Sequence, residues 1–153
     1  MNTLERKVPP ALVFLLFGGA MFLLERWLPA GEFDFFARRE LIWGLNLLGL
    51  FLVSAGVLQF LLKRTTVDPV HPEKASKLVT GGLYRYSRNP MYLGLLVFLL
   101  AWGLALGNAF NTITAAGFVA YMNRFQIRPE ERALEARFGA EFRQYCKLVR
   151  RWF

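Results

Sequence analysis

One cysteine and one histidine in 153 residues leave almost nothing for metal chemistry. A lone Cys146 cannot close a disulfide within these residues. With His71 it still falls short of the ligands a zinc centre takes. Acidic residues are sparse as well: eleven stand against nineteen lysines and arginines, a formal net charge of +8. Internal repeats and low-complexity linkers are absent, and the length suits one domain. What is plentiful is apolar. Such residues make up 55% of the chain, fifteen of them Phe, gathered in blocks rather than scattered. A soluble core of this length could not hide so much, so a membrane is the expected surrounding.

Four blocks read as spans. The first runs from about Val8 to Leu24, opened by Pro9-Pro10 and closed by Glu25-Arg26-Trp27. Arg6 and Lys7 before it suit a signal peptide, but no small-x-small cleavage site follows, and the Glu-Arg-Trp closure suits an interfacial anchor. The second, Leu41 to Leu62, is twenty-two residues without a charge. The third runs from about Met91 to Leu106. A tight turn at Gly107-Asn108 leads to a shorter fourth, about Thr112 to Phe125, which makes the last two antiparallel neighbours. Sixteen of the nineteen basic residues lie before the first block, between residues 63 and 90, or from Arg124 onward. Only Arg26, Arg38 and Arg39 lie on the other side. The positive-inside rule then puts both termini in the cytoplasm, with a bacterial inner membrane as the setting. The net charge is an orientation and headgroup signal and calls for no nucleic acid.

After the fourth block, Pro129 and Glu130-Glu131 suit the first turn of a helix. Leu134, Phe138, Phe142, Tyr145 and Val149 recur at spacings of four, four, three and four. That spacing predicts an amphipathic cytoplasmic helix, bent at Gly139, lying over the loop that holds Arg85 and Arg88. The fold class is therefore an all-α integral membrane protein: about four transmembrane helices and this C-terminal helix. It forms one domain, with two generic spans in 1–64 and the functional part in 65–153.

Two polar clusters stand at the cytoplasmic ends of the third and fourth spans. One is Tyr84, Arg85, Tyr86, Arg88, Asn89 and Tyr92, the other Arg128, Glu130 and Glu131. Taken singly, each has a plain structural use. The arginines serve as interfacial anchors, the tyrosines as an aromatic belt and the glutamates as first-turn carboxylates. Asn108 and Asn111 read as turn residues, His71 as a solvated loop residue, and Gly81-Gly82 as a weak phosphate-cradle signal. Taken together, the two clusters suit a zwitterionic, aromatic ligand. Arginine forks onto a carboxylate, glutamate accepts from an ammonium or a ribose diol, and tyrosine faces hold a sulfonium. S-adenosylmethionine carries all of those groups.

The run Thr80-Gly81-Gly82-Leu83-Tyr84-Arg85-Tyr86-Ser87-Arg88-Asn89-Pro90-Met91-Tyr92-Leu93-Gly94 resembles a known signature, roughly G-P-Y-R-x-x-R-H-P-x-Y-x-G. It belongs to the isoprenylcysteine carboxyl methyltransferases and related phospholipid methyltransferases. Arg128-Pro129-Glu130-Glu131-Arg132-Ala133-Leu134, continuing through Phe138-Gly139 and Tyr145 to Arg151-Trp152, is similar to that family's ending. The resemblance covers about residues 65–153. It implies a membrane enzyme holding S-adenosylmethionine between the last spans and the C-terminal helix. Tyr84, Arg88, Asn89, Pro90, Tyr92, Gly94, Glu130 and Glu131 are then cofactor-binding, Arg128 and Glu131 catalytic, and no metal takes part. The partners it implies are the bilayer and a lipophilic or lipid-linked methyl acceptor.

Asn89 stands where that pattern usually has histidine, and Leu83 where it has proline. Asparagine hydrogen-bonds but does not titrate near neutrality, so an acid–base role at 89 is not expected. The expected reaction is in-line methyl transfer, driven by alignment and desolvation. A carboxylate acceptor needs no general base, which favours an O-methyl product. Two other readings compete. One is an NADPH-dependent sterol or steroid reductase, whose similar motif continues from its glycine into glutamate where this chain has Leu95. The other is a non-catalytic membrane binding or scaffold protein.

Overall fold

The computed structural model describes residues 5–29, 31–63 and 76–153, and His71 lies outside them. Six helices follow in order: α1 (Pro10–Trp27), α2 (Arg38–Leu62), α3 (Pro90–Leu106), α4 (Asn111–Tyr121), α5 (Arg128–Phe138) and α6 (Ala140–Leu148). A 3-10 turn over Gly82–Arg85 precedes α3, and a π-helical turn over Met122–Ile127 joins α4 to α5 without a break. Among the described residues there is no strand, only an isolated bridge between Glu32 and Asn108.

Each helix starts where its sequence permits. Pro10 and Pro90 sit in the first turns of α1 and α3, where a missing N–H leaves no helical bond unmade. Gly107 closes α3 in the left-handed region, and the Arg38 guanidinium covers the carbonyls left open there. Arg38 Nε donates to Leu104 O at 2.8 Å and Nη2 to Ala105 O at 3.0 Å. A cation at a helix C-terminus also meets the negative end of the dipole.

The helices alternate in direction. The start of α2 meets the end of α3 through Arg38, and Gly56 near the end of α2 faces Met91 at the start of α3. Along α1, Phe14 packs edge-on to Phe98 of α3, and Phe17 to Phe118 of α4. The start of α1, the end of α2, the start of α3 and the end of α4 therefore share one end of the bundle. The α2–α3 pair is the tightest. A Cβ at Gly94 would lie 2.7 Å from Val53 Cγ2 and 3.0 Å from Gly49 O, so only a bare α-carbon lets the backbones approach.

A core of Val13, Met21, Leu99, Ala115, Phe118, Met122 and Ile127 fills the bundle. The outside is apolar as well. Leu15, Leu16 and Phe22 of α1 are exposed, as are Trp43, Leu47, Leu50, Phe51 and Leu58 of α2. So much exposed apolar surface suits hydrocarbon rather than water. By length and composition α1, with 18 residues, and α2, with 25, can each cross a membrane. The expected third and fourth spans are shorter, α3 having 17 residues and α4 having 11 before the π turn.

The C-terminal region departs from the expected single bent helix. Gly139, at φ +53°, breaks it into α5 and α6, and the chain leaves α6 at Val149 in an extended strap. The amphipathic spacing is still used: Phe142, Tyr145 and Val149 form a second core with Val79 and Tyr84, against which Leu134 and Phe138 pack.

Candidate functional site

Both sequence clusters meet at the shared end of the bundle, beneath the strap. The 3-10 turn brings Tyr84 in, and Gln59 of α2 holds that turn. With its amide oriented to satisfy the network, Gln59 donates to Gly81 O and accepts from Leu83 N–H, each at 3.0 Å. Gly82, at φ +56°, is required there: a Cβ would lie 2.2 Å from the Gln59 amide. Gly82 is thus fitted around a side chain, which accounts for it without a phosphate, while a Cβ at Gly81 would meet nothing within 4 Å. Tyr145 OH donates to Tyr84 O at 2.7 Å and fixes α6 over the turn.

Arg88 is the hub of an ionic lock. Its Nη1 donates to the carbonyls of Cys146 (3.1 Å) and Val149 (2.7 Å), and its Nη2 to Glu131 at 2.7 Å. Arg151 grips the same carboxylate from the strap, with Nη2 at 2.6 Å from Oε2 and Nε at 3.0 Å from Oε1. Burial opposes ionisation of Glu131, but hydrogen bonds from Arg151 and Arg88 outweigh it and hold the carboxyl below its usual range. The strap is tied at further points. Arg88 N–H donates to Arg150 O (2.9 Å), while Asn89 Nδ2 (3.0 Å) and Ser87 Oγ (3.2 Å) donate to Arg151 O. Trp152 Nε1 donates to Asn123 at 3.2 Å.

Beside the lock lies a second group. Tyr92 OH donates to Glu130 at 2.6 Å, and Gln126 Nε2 donates to the same oxygen. Burial of the carboxylate pushes the Glu130 pKa up to about 8, against the pull of those two hydrogen bonds and of Arg6. Part of the residue's surface nevertheless remains open. Tyr84, 5% exposed, has its hydroxyl buried without a hydrogen-bond partner among the described residues, as is Arg88 Nε. Burial also raises the Tyr84 phenol above its usual range, with smaller contributions from Tyr145 and Glu130. An orphaned buried hydroxyl is costly unless something else meets it.

Of the expected site residues, Tyr84, Arg88, Asn89, Tyr92, Glu130 and Glu131 therefore converge. Pro90 sets the start of α3, and Gly94 sits in the α2–α3 contact, where packing accounts for it. Arg128 opens α5 with its side chain exposed. Tyr86 is 77% exposed and lies outside this group. Asn111, buried, opens α4 and closes the turn, its N–H donating to Asn108 O at 3.1 Å. Among the described residues no three His, Cys, Asp or Glu side chains group as metal ligands. Sequence reasoning passed over Gln126, Arg6 and the pairing of Arg151. Gln126 carried a signal all the same: an amide four residues before Glu130, at the end of an apolar run.

Residues 39–141 match the family model described as phospholipid methyltransferase. The chain belongs to that family. The matched phospholipid methyltransferase segment runs from α2 to α6 and contains both Glu130 and Arg88. Similar proteins point the same way. Over 106 residues the chain is 30% identical to a protein-S-isoprenylcysteine O-methyltransferase of Schizosaccharomyces pombe, covering 69% of this chain and 45% of that one. Over 88 residues it is 34% identical to a probable protein-S-isoprenylcysteine O-methyltransferase of Oryza sativa subsp. indica, covering 56% and 44%. A shorter uncharacterized protein of Haemophilus influenzae is 50% identical over 62 residues, which are 98% of its length and 40% of this chain. The chain thus spans less than half the length of these two methyltransferases. No solved structure matches it.

Proposed function

We propose that this protein is an integral-membrane methyltransferase that takes its methyl group from S-adenosylmethionine and passes it to a lipophilic acceptor. The observation that carries the reading is the convergence of Tyr84, Tyr92, Gln126 and Glu130 in one enclosed group at a helix end. There a buried phenol hydroxyl lacks a partner among the described residues, and burial pushes the Glu130 carboxyl up to about 8. These residues fit the cofactor's chemistry. Glu130 offers an acceptor for an ammonium or a ribose diol, the tyrosine rings offer faces to a cation, and Tyr84 OH is a spare donor.

When bound, the cofactor supplies an electrophilic methyl group, whose bond to sulfur breaks as the bond to the acceptor forms. The chain's own part is to bind, align and exclude water. Arg88 and Glu131 hold the strap shut over the site. Asn89, a donor to the strap carbonyl, acts as a neutral hydrogen-bonding group where the resembled signature has histidine. Arg128, exposed at the start of α5, is free to meet the acceptor. A carboxylate acceptor has no proton to lose and needs no general base, which favours an O-methyl product. The apolar exterior and alternating helices support four crossings, with α3 and the α4–π segment as the short pair and both termini on the cytoplasmic face.

The test is calorimetry of purified protein in nanodiscs with S-adenosylhomocysteine and NADPH in parallel. Binding of the first alone is expected. Binding of NADPH instead would support the reductase reading, and binding of neither would contradict the proposal.

A further inference from the structure

We propose that the N-terminal segment Glu5–Val8 is a positioning element of the site. It fixes the π turn in the register that aims Gln126 at Glu130, and it presents Arg6 as the counter-charge to that carboxylate. The inference rests on the reading of the Glu130 group as a ligand site.

Four observations carry it. The Arg6 N–H donates to Phe125 O at 3.0 Å, within Met122–Ile127. A π turn leaves its carbonyls displaced from the ordinary helical partners, and such turns recur at functional sites. Here a backbone donor from another segment fills the position one residue before Gln126. Glu5, with only 10% of its side chain exposed, accepts from Arg132 Nη2 at 2.6 Å, which ties the segment to α5 two residues beyond Glu130. Arg6 itself stands at φ +57°, a left-handed conformation that a non-glycine residue rarely adopts and keeps only where surrounding contacts over-determine it. Val8 completes the hook by packing on the bundle core.

Glu130 has few charged or titratable neighbours among the described residues. Tyr92 faces it from α3 and Tyr84 from the 3-10 turn, Glu131 adjoins it on α5, and Arg6 comes from the N-terminal segment. Arg6 is the cation that offsets its burial, drawing Glu130 toward ionisation. Removing that charge moves Glu130 further toward the neutral form. The segment then sets the pH above which the carboxylate is available to a cationic ligand.

The experiment compares wild type, Arg6→Gln and Arg6→Lys, each with Glu130 intact and with Glu130→Gln. The midpoint of thermal unfolding without ligand is followed from pH 5.5 to 9, together with S-adenosylhomocysteine affinity at pH 6.5 and 8.5. Arg6→Gln should move the Glu130-dependent inflection upward by roughly half to one pH unit. Lysine should restore it, and the shift should vanish in the Glu130→Gln background. Affinity at pH 8.5 should fall several-fold in Arg6→Gln and recover in Arg6→Lys. A uniform loss of stability at every pH, or the same shift without Glu130, would overturn the positioning role. Failure of wild type to bind S-adenosylhomocysteine would instead overturn the function, while the ligand-free melts still judge the hook.

Discussion

Glu130 and Glu131 are adjacent carboxylates with opposite electrostatic surroundings. Glu131 is held by two guanidinium groups, and Glu130 by a phenol and an amide. Their contributions to stability therefore run in opposite directions with pH. Glu130 is raised from an ordinary value near 4.5 to about 8. Folding favours its neutral form, so the associated stability is full below about pH 4.5 and is lost as pH rises through 8. At 1.36 kcal/mol per unit this amounts to at most about 5 kcal/mol. Glu130→Gln should flatten that decline, and above pH 8 its melting temperature should match or exceed that of wild type. Glu131 is lowered, so its contribution is present above the ordinary carboxyl range and is lost on acidification. Arg88→Lys keeps the charge but cannot span Cys146 O, Val149 O and Glu131 at once. Loss of two charge-assisted bonds should cost about 3–6 kcal/mol, read by chemical unfolding and by faster amide exchange in the strap. Unchanged exchange would mean that the lock does not hold the strap.

Elements were legible in proportion to how local their cause is. The uncharged run of α2 and the proline starts of α1 and α3 could be read directly, since composition and fixed φ decide them. The amphipathic spacing from Leu134 to Val149 was legible too, but the break at Gly139 into two helices depends on a backbone angle that spacing does not report. Neither the π turn nor the strap was visible. At the turn Gln126 and Tyr92 both donate to Glu130 and the Arg6 N–H meets Phe125 O, while the strap takes donors from Arg88, Asn89 and Ser87. Those are long-range pairings with no local periodicity. Gly94 shows the same limit in reverse: it lies inside the signature, yet its neighbours are Val53 and the Gly49 carbonyl. Gly94→Val should separate α2 from α3 and destabilise the protein by about 1–3 kcal/mol. Gly19→Ala, where nothing lies within 4 Å, should be nearly neutral in the same unfolding assay.

At the scale of the molecule, charge and fold agree. The sixteen-to-three division of basic residues and the alternating helices put Arg6, the start of α3 and the whole C-terminal region at one end. Reporters fused after Phe153 and within residues 30–40 should therefore report opposite sides of the membrane. A shared side would mean that α1 does not cross. The central claim is that the Glu130 group receives the cofactor. It is tested most directly by titrating S-adenosylhomocysteine into wild type and Glu130→Gln in nanodiscs at pH 8.5, where the wild-type carboxylate is largely ionised. Wild type should bind. Loss of a charge-assisted hydrogen bond worth roughly 1.5–3 kcal/mol should weaken the variant about ten- to a hundred-fold. Equal affinity in the two proteins, or no binding by wild type, would contradict it.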